Sequence, residues 1–215
     1  MTDPGQMAAP AAPDADPIAR PSDPEPTLLL HLWRRLDWRF LLPNGQIGTL
    51  GYAGEIDEEL VRAFRLVDPG AVEITGPDPA SPRTTVVLRH PSPAQLVTAR
   101  QRLSPGGSVY LETGQALRPF GPRTLRGWRR LLERHGFVEI AAYWHTPDLD
   151  SCSRITPLGS PQAVRMTLDR HQVIRFGALK ARVGRLLLSL GLIEIAVPAG
   201  SIVARRPDEP SDGRQ

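Results

Sequence analysis

Three glycines, Gly48, Gly51 and Gly54, lie between a short apolar segment and a predicted helix. Glycines at such a place let the backbone approach a ligand and tolerate positive φ. Glu73 lies 22 residues beyond Gly51, near the end of the next predicted strand. A carboxylate there can accept hydrogen bonds from ribose hydroxyls. The pattern therefore predicts a nucleotide-type cofactor site, with a plain tight turn and a surface carboxylate on an edge strand as the alternatives.

Two histidines are candidates for proton transfer. His90 follows a predicted valine-rich strand, and a histidine can act as a general base near neutral pH. His145 lies in the richest polar and aromatic segment, next to Tyr143, Trp144 and Asp148. Aromatic walls beside polar groups are typical of sites that recognise a small molecule. We therefore predict His90 and His145 as catalytic and Tyr143, Trp144 and Asp148 as substrate-binding. A hydrogen-bonded structural role for His90 is the alternative.

Metal, thiol and nucleic-acid chemistry have weaker support. His145, Asp148, Asp150 and Cys152 do not match a zinc spacing, so no metal site is predicted. Cys152 is the only cysteine, which excludes an internal disulfide and fits a reducing compartment. Four arginines line one side of a predicted helix: Arg126, Arg129, Arg130 and Arg134. They could contact phosphates, but a solvated helix face is the commoner meaning of such a row. Nucleic acid is therefore an unlikely partner.

Composition places the chain among ordinary soluble proteins. The 215 residues are 40% hydrophobic and 23% charged, with a net charge of +3. The longest apolar run is far shorter than the ~20 residues that a membrane span needs, and no signal-peptide pattern opens the chain. We expect a cytoplasmic protein of bacterial type with no membrane span.

The elements that must position these residues alternate between strand and helix. From Thr84 to His145 the order is strand, helix, Pro-Gly-Gly turn, strand, helix, Gly-Phe turn, strand. This alternation favours an α/β protein with a mainly parallel sheet. Asp57 and Ser92, the latter followed by Pro93, are predicted helix N-caps.

The Leu-x-Pro-Gly-Gly turn at 103–107 and the Gly-Phe turn at 136–137 resemble the second half of class I S-adenosylmethionine-dependent methyltransferases. The resemblance covers residues 46–145 and about 179–206. It implies a three-layer Rossmann-like fold with helices on both faces of a mostly parallel sheet. It also implies S-adenosylmethionine as the cofactor, held by Gly48, Gly51, Gly54 and Glu73.

The chain departs from the family pattern in two places. Gly51 matches the first glycine of the cofactor loop, but Ala53 and Glu55 stand at the next two glycine positions, and Thr49 replaces the usual acid. In addition, the segment 77–83 is too short for the helix, strand and helix that the family places there. Either one unit at the sheet edge is missing, or the strand assignments are shifted.

Domain boundaries follow composition. Residues 1–26 and 207–215 are predicted disordered tails, and 27–206 a single methyltransferase-like domain. The segment 130–141 is echoed at 185–196, which predicts two copies of a helix, a glycine stop and an outgoing strand. The intervening segment 145–178 is then an insertion or lid over the carboxyl ends of the strands.

The leading functional hypothesis is transfer of a methyl group from S-adenosylmethionine to a small-molecule or glycan-type acceptor. In such chemistry the protein mainly positions the donor and the acceptor. The alternatives are a degenerate methyltransferase fold that serves as a partner or regulatory subunit, and a nucleic-acid-binding module. A fold alone does not decide among them.

Overall fold

A seven-stranded sheet organises the chain, with the strand order β2-β1-β3-β4-β7-β5-β6. Five strands, β1 to β5, run in one direction, while β7 is antiparallel to β4 and β5, and β6 is antiparallel to β5. The strands are β1 Leu50–Gly54, β2 Val72–Glu73, β3 Arg83–Arg89, β4 Leu103–Gly114, β5 Val138–Thr146, β6 Arg154–Pro157 and β7 Ala199–Arg205.

Helices cover both faces of this sheet. They are α1 Pro26–Arg34, α2 Glu58–Val67, α3 Pro93–Arg102, α4 Leu125–Arg134, α5 Pro161–Arg170, α6 Gly177–Ser189 and α7 Ile193–Ala196, with a 3-10 helix at Asp37–Leu41. One core joins α1, the 3-10 helix and α2 to Tyr52, Val87 and Tyr110. The other joins α3, α4, α5 and α7 to Val86, Leu111 and Ile202. The predicted three-layer, mostly parallel, Rossmann-like architecture is confirmed.

The computed structural model describes residues 26–43, 45–76, 81–114, 122–170 and 177–208. The predicted tails therefore lie outside the described residues, except at Pro26, Pro207 and Asp208. Among the described helices, none combines the length and apolar character that crossing a membrane requires.

The sheet ends at β2, which has only two residues. The residues between β2 and β3 that the structure describes, 74–76 and 81–82, contain neither helix nor strand. The remaining four, 77–80, are too few for a helix, a strand and a second helix. The predicted loss of one sheet-edge unit thus agrees with the observed strand order.

Local capping explains where the helices begin. The Asp57 carboxylate accepts a hydrogen bond from the Leu60 amide at the start of α2. Ser92 and Gln95 form a reciprocal capping box at α3, and Pro93 occupies its first turn. These pairs satisfy amides that have no partner within the helix. The predicted caps at Asp57 and Ser92 are confirmed.

One expectation about the order of the elements is wrong. The second copy of the echo does not lead into a strand, because the short helix α7 follows Gly191 and β7 begins only at Ala199. The apolar stripe of α6 is largely exposed among the described residues, with Leu179, Leu186 and Leu190 each near 60% accessible. A periodic pattern identifies an apolar face, but it does not say what covers that face.

Candidate functional site

A row of polar residues crosses the sheet at the carboxyl ends of its parallel strands. Gly54 of β1 is in register with Arg89 of β3, which is in register with Glu112 of β4. Glu112 in turn pairs with Ser201 of β7. Paired residues on neighbouring strands project from the same face. The side chains of Arg89, Glu112 and Ser201 therefore lie side by side beneath α1, the 3-10 helix and α2.

Arg89 is the centre of an ionic cluster. Its guanidinium contacts Asp57 at 3.2 Å, Asp150 at 2.5 Å and Glu112 at 3.6 Å. Burial alone would lower the pKa of Arg89, but the neighbouring carboxylates of Glu112, Asp150 and Asp57 outweigh it and raise this pKa. Arg89 is consequently a permanent, almost fully buried cation.

Arg35, in the turn after α1, extends the cluster. It bridges Asp57 at 3.0 Å and Asp150 at 2.6 Å. Burial acts to raise the pKa of Asp150, yet hydrogen bonds from Arg35 and Arg89 lower it below its usual value. We call Arg35, Asp57, Arg89, Glu112 and Asp150 the carboxyl-edge cluster. It ties α1, the start of α2 and the β5–β6 loop to the sheet.

A second polar feature is a buried chain of hydrogen bonds. The Tyr110 hydroxyl contacts Glu112 Oε1 at 3.0 Å, and Ser201 Oγ contacts His145 Nε2 at 2.8 Å. The Ser201 side chain lies beside Tyr110, because Ser201 is in register with Glu112 and residues two apart on a strand share a face. The four side chains therefore form a buried polar chain in the order Glu112, Tyr110, Ser201, His145 across β4, β7 and β5.

Burial perturbs both titratable ends of this chain. It raises the pKa of Glu112, an effect that Arg89 and the Tyr110 hydroxyl partly offset. It lowers the pKa of His145 to about 4, so this imidazole is neutral at neutral pH. A carboxylate with a raised pKa is a stronger base than an ordinary carboxylate, which suits it to accept a proton from a ligand.

A cavity of about 700 Å³ opens beside the carboxyl-edge cluster and the hydrogen-bonded chain. Its size is typical of a small-molecule site. Helix α1, the 3-10 helix, α2, β4 and residues 149–155 supply its walls, which include Arg34, Asp37, Trp38, Leu60, Tyr110, Glu112, His145, Asp150 and Arg154. It lies at the carboxyl edge of the sheet, where open α/β folds bind ligands.

The predicted cofactor glycines do not share one loop. Gly48 precedes β1, and a Cβ there would lie 2.7 Å from Thr84 Oγ1. Gly51 lies within β1, and a Cβ there would lie 2.6 Å from Ile74 Cδ1. Only Gly54 reaches the carboxyl end of the strand, with φ of +102° and the Arg89 carbonyl packed against it. The three glycines therefore do not lie together in a loop after a strand, and that predicted placement is wrong.

The strand order reverses between β1 and β3, which is the point where such sheets usually take a ligand. Here that crevice contains the Arg89 backbone and side chain. Glu73, at the end of β2, is exposed and has no partner among the described residues. The Glu73 carboxylate is thus open to solvent, whereas the β1–β3 crevice is filled.

The two predicted catalytic histidines have different surroundings. His90 Nδ1 accepts a hydrogen bond from the Gly114 amide at 3.3 Å, and its φ is +47°. This contact links the ends of β3 and β4, as expected for the structural alternative. His145 lines the cavity and is buried. The structure thus brings together His145, Tyr110 and Glu112, but not His90.

The predicted substrate-binding residues are also separated. Trp144 packs in the core on the opposite face of the sheet. Tyr143 is half-buried against the core beneath α1 and α2. Asp148 is exposed and accepts hydrogen bonds from the Ser151 amide and hydroxyl, which lower its pKa. Of the segment 145–178, residues 149–155 line the cavity, while β6 extends the sheet and α5 packs on the opposite face.

The arginines of α4 border a second cavity of about 460 Å³, with Leu158 and Leu188 among its lining residues. Arg129 is bound by Glu194 at 2.5 Å and lies 3.7 Å from Glu133. Only part of this arginine face is thus free to contact phosphates, and the nucleic-acid-binding module stays an untested alternative. Within the described ranges, no group of three or more His, Cys, Asp or Glu side chains could hold a metal ion.

The residues that sequence reasoning missed are Arg35, Asp57 as an ion-pair partner, Arg89, Tyr110, Glu112 and Ser201. One signal was present: Tyr110 and Glu112 alternate with the apolar Val109 and Leu111 in a predicted central strand. Polar residues at every second position of such a strand indicate one polar face. The row itself depends on register across four strands, which the local pattern does not encode.

The geometry defines an α/β protein of the Rossmann-like class, and comparison with known structures finds similarity to S-adenosylmethionine-dependent methyltransferases. The chain is similar to an O-methyltransferase of Thermotoga maritima, with 10% identity, a TM-score of 0.44, and coverage of 84% of this chain and 67% of the other. It is also similar to phosphoethanolamine N-methyltransferase 2 of Haemonchus contortus in complex with S-adenosyl-L-methionine, with 13% identity and a TM-score of 0.41.

That second match covers 82% of this chain but only 52% of the Haemonchus protein, so the chain spans about half of its length. A methyltransferase of Thiobacillus denitrificans in complex with S-adenosyl-L-homocysteine matches at 12% identity with a TM-score of 0.31, covering 84% of this chain and 90% of the other. No protein-family model matches the chain, and a search of curated proteins found no relative.

Proposed function

We propose that this protein is a methyltransferase that uses S-adenosylmethionine and binds a small-molecule or glycan-type acceptor in the carboxyl-edge cavity. The observation that carries the proposal is the position of this cavity: it adjoins the strand-order reversal and contains Glu112 and His145. The donor would supply an activated methyl group. The chain's own residues would orient the acceptor and remove its proton.

Each residue has a role in this proposal. Glu73 accepts hydrogen bonds from the ribose hydroxyls of the donor, because its carboxylate is exposed and unpaired among the described residues. Glu112 accepts the proton of an acceptor hydroxyl or amine, and Tyr110 holds its carboxylate in place. The hydrocarbon part of the acceptor packs on Trp38 and Leu60. Holding both reactants in line supplies most of the rate enhancement in such a reaction.

Calorimetric titration with S-adenosylhomocysteine tests donor binding. We expect saturable binding that Glu73→Gln weakens about tenfold, since hydrogen bonds to the carboxylate are lost. Glu58→Gln is a matched control, because Glu58 is an exposed carboxylate on the outer surface of α2. Gly51→Val is unsuitable as a probe, since its side chain would collide with Ile74 and damage the sheet. Absence of heat at millimolar ligand would contradict the proposal.

A second function is supported by the filled crevice. Arg89 stands at the strand-order reversal, and the exposed stripe of α6 offers an apolar surface. Both features suit a fold that has lost its cofactor and serves as a partner or regulatory subunit. Titrating Arg89→Ala and the wild type with S-adenosylhomocysteine distinguishes the methyltransferase from the partner or regulatory subunit. Binding by the variant alone assigns Arg89 as the block, and binding by neither protein favours the partner role.

A further inference from the structure

Two arginines that line the carboxyl-edge cavity stand apart from its ion pairs. Arg35 and Asp150 neutralise each other within the cluster, and His31 contacts Glu59 at 3.3 Å. Arg34 and Arg154 also line the cavity, and neither has a charged partner among the described residues. Asp37 is the one comparable carboxylate there. Among the lining groups without a charged partner, the two arginines thus outnumber the single carboxylate.

The interior of the same cavity is a proton acceptor. With Glu112 ionised, the Tyr110 hydroxyl is the donor in their hydrogen bond, because a carboxylate can only accept. Ser201 Oγ and His145 Nε2 form a second hydrogen bond of 2.8 Å in the same buried chain. The carboxylate keeps further lone pairs for a ligand hydrogen, since one oxygen accepts from Tyr110 and the other lies 3.6 Å from Arg89.

The walls between rim and interior are flat and largely apolar. Trp38 stacks on Tyr110 with ring centroids 5.0 Å apart and an interplanar angle of 15°. Leu60 and Ile155 also line the cavity. These rings and side chains give the cavity a lining that suits a flat aromatic ligand.

We propose that this cavity binds a hydroxylated aromatic anion, with its anionic group at Arg34 and Arg154 and its hydroxyl at Glu112. The ligand O–H bond breaks, its proton passes to the Glu112 carboxylate, and the electron pair remains on the ligand oxygen. This proposal names the class of acceptor that the cavity binds. It rests on the proposed function in one respect: the ligand oxygen that loses its proton is the atom that would receive the methyl group.

A chromogenic probe tests this directly without any methyl donor. The probe is 4-hydroxy-3-nitrobenzoate, which carries a carboxylate and a phenol whose anion absorbs visible light. Added to the full chain below the pH at which the free phenol ionises, it should bind saturably and gain phenolate absorbance. The matched probe 2-nitrophenol lacks the carboxylate and should bind about tenfold more weakly.

Variants separate the two ends of the site. Arg34→Gln combined with Arg154→Gln should weaken binding of the carboxylate probe about tenfold and leave 2-nitrophenol unchanged. Glu112→Gln should still bind the probe but give no phenolate signal. Tyr110→Phe should increase the phenolate fraction, because Glu112 loses a donor that stabilises its charged form. Arg65→Gln, on the exposed side of α2, is the control.

Three results would overturn the proposal: no saturable binding of the carboxylate probe, equal binding of both probes, or an unchanged phenolate signal in folded Glu112→Gln. If Glu112→Gln fails to fold, Tyr110→Phe still decides the question through the direction of its shift. The probe experiment contains no methyl donor, so a negative donor titration does not affect its outcome. A negative probe experiment likewise does not affect the donor titration, and the two proposals can therefore be contradicted separately.

Discussion

The carbonyl oxygen of Arg89 accepts a hydrogen bond from the Glu55 amide at 2.9 Å, one residue beyond the last register pair of β1 and β3. The two strands therefore stay joined past their ends. The same carbonyl packs against Gly54, whose φ of +102° brings the backbones together. This backbone contact closes the crevice at the strand-order reversal, and the side chains of the carboxyl-edge cluster occupy the space beside it.

Gly54→Ala should destabilise the protein severely. The added Cβ would overlap the Arg89 carbonyl oxygen at a φ that L-residues rarely adopt. We expect a loss of at least about 3 kcal/mol in the free energy of unfolding, measured with urea. Gly191→Ala is the control: its φ is +67°, but no atom lies within 4 Å, so about 1 kcal/mol is expected. Equal losses would refute the close packing.

Arg89→Met should also destabilise the fold, because it leaves the buried Glu112 carboxylate without its neighbouring cation. The expected loss is on the order of 3 kcal/mol by chemical denaturation. Arg62→Met removes an exposed arginine 3.8 Å from Glu58 and should cost less than about 0.5 kcal/mol. A loss as small as that of the control would show that the cluster contributes little to stability.

His145 should make the protein sensitive to mild acid. Its pKa is about 4 in the folded protein, against 6.5 as the ordinary value, so the unfolded chain binds the extra proton between these pH values. The contribution of His145 to the free energy of unfolding is therefore fully present above pH 6.5. It is lost as the pH drops toward 4, by about 3 kcal/mol in total.

His145→Gln should lose that pH dependence, as measured by urea unfolding from pH 7 to pH 4. Glu112 acts in the opposite direction, since its raised pKa costs stability as the pH rises. Because Glu112 is present in both proteins, its effect cancels in the difference. Parallel curves for wild type and variant would mean that His145 titrates normally.

Cys152 should react slowly with alkylating agents. Burial raises the pKa of this thiol, and its sulfur contacts the Arg154 carbonyl at 3.2 Å. Since the thiolate is the reactive form, iodoacetamide at pH 8 should modify the folded protein at least about tenfold more slowly than the urea-unfolded chain. Equal rates would show that the β5–β6 loop leaves the thiol open.

Local signals explain how much of the fold the sequence predicted. Asp57 and Ser92 are recognisable as caps because each pairs with an amide within three residues. The Gly-Phe turn at Gly136 is similarly local, with φ of +71° at the end of α4. Alternation of such segments was sufficient to predict the α/β class.

Long-range contacts explain what the sequence did not predict. The echoed segments share residues, yet after Gly191 the chain forms α7, where Glu194 binds Arg129 of α4. Tertiary contacts thus override a local pattern, as they often do. The carboxyl-edge cluster unites Arg35 and Asp150, which are 115 residues apart, so no short motif could reveal it.

The placement of β7 has a consequence for how the molecule assembles. This strand comes late in the chain, at 199–205, yet it lies between β4 and β5 in the middle of the sheet. During synthesis, β4 and β5 emerge early and must wait with open edges until their shared neighbour leaves the ribosome. Ser201 arrives with that strand, so its hydrogen bond to His145 forms only when the sheet itself closes.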